Sequence, residues 1–129
     1  MTKELDEKLC KDFPTVFRDR HEDPTQTAMC WGFECGDGWE PLIRKACKAI
    51  EAFNQTVLPD ARVVATQIKE KFGTLRFYVN YYYDAIEPAL KEAEKKSAKT
   101  CEECGKPGKL RGKFWVYTAC RKHTKEGDK

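Results

Sequence analysis

No stretch of this sequence approaches the ~20 consecutive apolar residues that a membrane-spanning helix requires, so no membrane partner is expected. The opening segment, Met1 to Phe13, is charged and has no apolar h-region, which argues against a secretory signal. No low-complexity linker divides the chain, and no convincing catalytic constellation stands out. An even set of cysteines is missing too: there are seven, and an odd count does not fit a fully paired disulfide framework. With no secretory signal, a reducing cytoplasm is the expected setting.

What is present suits one compact domain. The 129 residues are 40% hydrophobic and 12% aromatic, enough for a core, and 35% charged, enough for a strongly hydrated surface. The net charge of +3 is unevenly spread. Residues 1–90 carry 12 Lys and Arg against 15 Asp and Glu, whereas residues 91–129 carry 12 against 6. A basic C-terminal third permits a contact with nucleic acid or an acidic protein, although lysines also serve simply to solvate a helix.

Residues 2–12 read as a short helix with Leu5 and Leu9 on one face and Glu4 four before Lys8, ending near Pro14. Residues 18–29 are polar and aperiodic, hence loop. Asp37 to Phe53 is the strongest helix: Trp39, Leu42, Ile43, Ala46, Cys47, Ile50 and Phe53 form one apolar stripe, and Asp37 with Glu40 is spaced as a capping box ahead of Pro41. Residues 62–81 read as a β-hairpin. Val64, Ile68 and Phe72 lie inward on its first arm, Leu75, Phe77 and Val79 on its second, and Gly73 is in the turn. Asp84 to Ala98 is a further helix whose Glu87-Pro88 opening echoes Glu40-Pro41. The fold class expected is therefore α+β: helices on a hairpin sheet (1–98) running into a C-terminal zinc-ribbon-like module (99–126).

That module is expected from four residues. Cys101 and Cys104 are separated by two residues, as are Cys120 and His123, with fifteen residues between the pairs. A two-residue gap lets both donors of a pair reach one ion from a tight turn, which Gly105 eases, and three thiolates with one imidazole suit tetrahedral Zn2+. The set leaves no coordination position for a reacting water, so the zinc is expected to be structural, holding a hairpin over 109–118 against the last helix. Ordinary reduced cysteines are the bland alternative.

Other positions carry weaker signals. Cys47, on the apolar stripe, reads as a core residue, while Cys30 and Cys35, with Cys10 or His21, could form a second metal site. His21, Asp37, Glu40 and Arg76 could line a pocket with His21 as base, although a capping role already accounts for Asp37 and Glu40. Asp60 with Gln67 and Lys69 faintly resembles a metal-dependent nuclease signature, but no second acidic ligand accompanies it. Lys106, Lys109, Arg111, Lys113, Trp115 and Tyr117, approached by Lys95, Lys96 and Lys99, could bind phosphates and stack bases, or else contact a protein. The alternative is a solvated hairpin with its aromatics packed inward. Among Tyr81, Tyr82 and Tyr83, at least one tyrosine should point outward, as is useful at a protein interface.

Over residues 30–123, the Cys35-Gly-Asp-Gly-Trp39 helix start, the hairpin Gln67-Ile-Lys-Glu-Lys-Phe-Gly-Thr-Leu-Arg-Phe-Tyr78 and the closing Cys-x2-Cys…Cys-x2-His resemble an uncharacterised family of short phage and prophage proteins. The resemblance carries no catalytic residues. It implies a setting, that of a phage-related accessory protein in the bacterial cytoplasm. The first functional expectation is a non-enzymatic protein that binds and modulates or inhibits a host protein. The second is a zinc-ribbon nucleic-acid binder, and the third a nucleotide-pocket protein or enzyme.

Overall fold

Three helices and two small sheets organise residues 1–128, which the computed structural model describes. The first helix, α1 (Lys3–Asp12), starts where the Thr2 hydroxyl accepts a hydrogen bond from Leu5 N at 3.4 Å. Leu9 is fully buried and Leu5 half-buried. The ion pairs within the helix are Lys3–Glu7 and Lys8–Asp12, not the expected Glu4–Lys8.

The polar run 18–29 is mostly turns, as expected, but it leads into a 3-10 turn (Ala28–Trp31) and a two-residue strand, β1 (Phe33–Glu34), that no alternation announces. Arg20 fixes this region. Its guanidinium grips Asp6 with bonds of 3.1 and 2.8 Å and donates a third to Cys30 O at 2.9 Å. A bidentate charge-assisted pair can hold an otherwise polar loop against α1, and Met29 and Phe33 bury beneath it.

The apolar stripe lies where it is expected, but the helix begins later. Asp37–Trp39 is one 3-10 turn and α2 spans Glu40–Asn54. The capping box does not form. Asp37 Oδ1 accepts from Thr2 N at 2.7 Å, and Glu40 Oε1 accepts from Arg44 Nε at 2.7 Å. Pro41 in the first turn removes an N–H that has no partner there anyway. Ile43, Ala46, Cys47 and Ile50 are buried, each large apolar side chain contributing about 1.5–3 kcal/mol.

Strands β2 (Ala65–Lys71) and β3 (Thr74–Val79) form the expected antiparallel hairpin, and β1 adds in parallel beside β2. Leu75, Phe77 and Val79 face the core as expected, opposite Ile68. Phe72 does not point inward. It and Gly73 make the two-residue turn, with φ of 54° and 82°, the positive pair of a type I′ hairpin. Val64 is buried but precedes the strand, and a register shift between Ala65 and Gln67 resets the alternation. Gln67, Lys69 and Lys71 consequently share the outer face with Arg76 and Tyr78.

Helix α3 (Glu87–Ser97) repeats the α2 solution, a tight turn and then Glu-Pro, and starts three residues later than expected. It buries Ile86, just ahead of it, with Leu90 and Ala93, and packs on α2 and β3. The chain closes with β4 (Lys109–Arg111) and β5 (Tyr117–Ala119), an antiparallel pair. The class is α+β, with a Cys/His module near its C-terminal end.

Candidate metal centre and the surface around it

Two tight turns bring the four expected ligands together. Gly105, at φ 81°, lets the first turn close after Cys104, with Gly105 N donating to Cys101 O at 2.9 Å. In the second, His123 N donates to Cys120 O at 3.2 Å. Strands β4 and β5 return one pair to the other. The donor atoms of Cys101, Cys104, Cys120 and His123 all lie within 4.8 Å of one another. Cys104 Sγ is 3.7 Å from Cys120 Sγ, and Cys101 Sγ is 3.6 Å from His123 Nδ1. Tetrahedral coordination at metal–sulfur and metal–nitrogen lengths of about 2.3 and 2.0–2.1 Å gives edges of about 3.8 and 3.5 Å. The sulfurs are far from the roughly 2.05 Å of a disulfide, and the four residues fit one metal ion.

The turns also aim backbone donors at the sulfurs. Burial opposes a thiolate at Cys101, yet N–H groups of Cys120, Cys104 and Glu103 bring its pKa below the ordinary thiol value. Cys120 is likewise lowered: burial again opposes the charge, and the His123 N–H, then the Cys104 and Cys101 side chains and the Lys122 N–H, favour it. Lys106 N–H favours the Cys104 thiolate, but desolvation and its two sulfur neighbours leave that pKa raised. A cation between these groups is what would allow all three sulfurs to ionise together. Cys101 is fully buried, Cys120 nearly so, His123 half-buried and Cys104 exposed.

The module sits on a socket formed by Cys35–Trp39. Gly36 N donates to the Glu102 carboxylate at 2.9 Å, Gly38 N to Glu102 O at 2.7 Å and Trp39 Nε1 to Thr100 O at 2.8 Å. A Cβ on Gly38 would lie 2.1 Å from Cys101 O, so the ligand turn is in direct backbone contact with the body. From the other side, the buried Thr118 hydroxyl donates to Gly73 O at 2.6 Å. The hairpin is thereby anchored on the β2–β3 turn, a contact that the sequence reading, which placed it against the last helix, did not supply. Met1 N donates to Cys35 O at 2.7 Å beneath the same socket.

The remaining positions divide. Among the described residues, the C-terminal cluster is the one group of three or more potential ligands. Cys10, Cys30, Cys35 and His21 form no second one. Cys10 donates to Asp6, and burial followed by that carboxylate pushes its pKa up to about 12. Burial, then the Glu102 charge, does the same to Cys35, also to about 12. Cys47 is a buried core thiol. The four pocket residues are engaged separately: Asp37 with Thr2, Glu40 with Arg44, Arg76 with Glu94, while His21 lies exposed in a turn.

Of the basic-aromatic set, Lys106, Lys109, Lys113 and Trp115 are exposed. Tyr117 is not available for stacking. It is 9% exposed, its hydroxyl donates to Asp128 and accepts from Lys125 N, and the Lys125 ammonium covers its ring at 4.5 Å. Arg111 Nε donates to Ala119 O at 2.9 Å within the hairpin. Sequence reasoning missed Phe114 and Phe72, which are 99% and 73% exposed beside Trp115 at 75%. The only sequence signal for Phe72 was its place immediately before the turn glycine. Comparison with protein-family models, curated proteins and solved structures finds no match.

Proposed function

We propose that this chain is a non-catalytic binding protein whose C-terminal third is held in shape by a structural zinc ion and which engages a partner protein. One observation carries the reading: the closed Cys101, Cys104, Cys120 and His123 set, docked on Gly36 and Gly38 behind a loop that displays Phe114 and Trp115. Three sulfurs and one nitrogen at tetrahedral spacing favour zinc among the common metals. Four protein donors fill the shell, so the metal's task is to hold the loop. The resemblance to short phage and prophage proteins points to a protein of the bacterial host cytoplasm as the partner, bound so as to modulate or inhibit it.

The test has two arms. Elemental analysis of full-length protein made in zinc-replete cells should find one zinc per chain, and a value near zero overturns the metal assignment. Affinity purification from bacterial lysate should recover a stoichiometric protein that persists after nuclease treatment. Recovery of nucleic acid alone, with affinity falling steeply as salt rises, would transfer the function to the nucleic-acid reading, which the exposed Lys106, Lys109 and Lys113 favour.

A further inference from the structure

Between the β2–β3 turn and the β4–β5 loop runs a groove of about 320 Å3, walled by Phe72, Phe114, Trp115 and Val116 and edged by Lys69, Glu70 and Lys71. Phe72 is an unusual residue for its place. Among the described residues it is the only non-glycine with positive φ. A type I′ turn strongly prefers Asn, Asp or Gly at that position, and a bulky side chain there is strained. Phe72 gains no burial in return, being 73% exposed. A residue that costs stability and contributes nothing to the core marks a surface kept for contact.

The two walls are also held in register. Gly73 N donates to Glu70 Oε2 at 2.7 Å, and a Cβ on Gly73 would lie 2.6 Å from Leu110 and 3.1 Å from Val116. The groove therefore exists before anything binds, which reduces the ordering cost of association.

Its rim carries more positive than negative charge. Lys69 lies between Arg76 on β3, a like charge, and Glu34 on β1, whose carboxylate accepts from Gln67 Nε2 at 3.4 Å, and Arg76 turns to Glu94. Lys69 and Lys71 then have no carboxylate partner within 4.0 Å among the described residues, nor has Lys113, next to Phe114; the Lys71 ammonium lies 5.7 Å from the Phe72 ring. On the helical side, by contrast, Lys45 and Lys96 share Glu92. Glu70, the acid in the groove's own lining, keeps its charge but directs one carboxylate oxygen to Gly73 N.

We infer that this groove takes an acidic peptide segment of a partner protein, an aromatic or aliphatic side chain entering between Phe72 and Trp115 while flanking carboxylates meet Lys69, Lys71 and Lys113. This rests on the binding role proposed above. The alkyl and aryl walls suit such a side chain better than a nucleobase, whose polar edges need partners. The residues best suited to provide them, Arg111 and Tyr117, are engaged inside the module.

The experiment is selection from a displayed library of random peptides on immobilised, metal-loaded full-length protein, with a single-stranded oligonucleotide pool in parallel. Peptides carrying an aromatic or aliphatic residue between acidic ones should be enriched. Their affinity, measured by fluorescence anisotropy, should fall roughly tenfold or more for Phe72→Asn, while that variant melts at or above the wild-type temperature. Trp115→Ser should weaken binding similarly, and Lys45→Glu, on the far helical face, should not. Failure to enrich acidic peptides, equal binding by Phe72→Asn, or enrichment of oligonucleotides instead would each overturn the assignment. If the lysate partner is captured equally by wild type and Phe72→Asn, the binding role stands and this groove is not where it acts.

Discussion

Gly38 and Trp39 connect the metal turn to the body through single atoms. Gly38→Ala would set a methyl 2.1 Å from Cys101 O and 2.5 Å from Gly105 N, both backbone atoms. Overpacking of this kind costs about 1–3 kcal/mol, so urea denaturation should register a loss of that size, while Gly127→Ala, with nothing within 4 Å, should be neutral. Trp39→Phe keeps the buried ring but leaves the Thr100 carbonyl without its donor, an expected loss of about 1–3 kcal/mol by the same measurement. The buried thiols set a pH limit. Unfolded cysteine ionises near 9.0, whereas Cys10 and Cys35 stay protonated in the fold up to about 12. Their contribution is therefore fully present below pH 9 and is lost as pH rises toward 12; the urea midpoint of Cys35→Ala should decline less steeply over that window than the wild type's. The metal ligands were legible in the sequence because each pair is a local turn. The role of Gly36, Gly38 and Trp39 was not, because their partners lie 61 to 66 residues away and no local rule connects them.

At the scale of elements, the helices were legible because a buried stripe repeats every 3.6 residues whatever it packs against. Their starts were not. The spacing of Asp37 and Glu40 fits a capping box, but Thr2 and Arg44 compete for the same carboxylates and prevail. Strand β1 escaped notice since two residues hold no period, and Phe72 was misplaced because alternation cannot foresee where a strand yields to its turn. The β4–β5 hairpin buries little of its own beyond Cys101, Tyr117, Ala119 and Cys120. Stripping the metal, or Cys101→Ser with Cys104→Ser, should therefore melt residues 99–126 while α1, α2 and the β2–β3 hairpin persist. Hydrogen exchange resolves this directly: loss of protection confined to the C-terminal third is expected, and unchanged protection there would contradict a metal-held module.

On the scale of the whole molecule, the loaded protein should behave as one cooperative unit, since the ligand turns and the sheet turn share backbone contacts. Calorimetry should give a single transition whose midpoint rises with free metal, by the equivalent of about 2.7 kcal/mol at a hundredfold excess over the dissociation constant. Cys104 adds an asymmetry to that unit. Cys101 and Cys120 are buried and His123 half-buried, while the fourth donor stands at the water's edge. A scavenging chelator or an electrophile must begin its work at that corner, so the order in which the grip loosens is built into the architecture: Cys104 first, Cys101 last. How long the ion stays is then governed by one surface sulfur, and once the last buried donor lets go the module that depended on the ion goes with it.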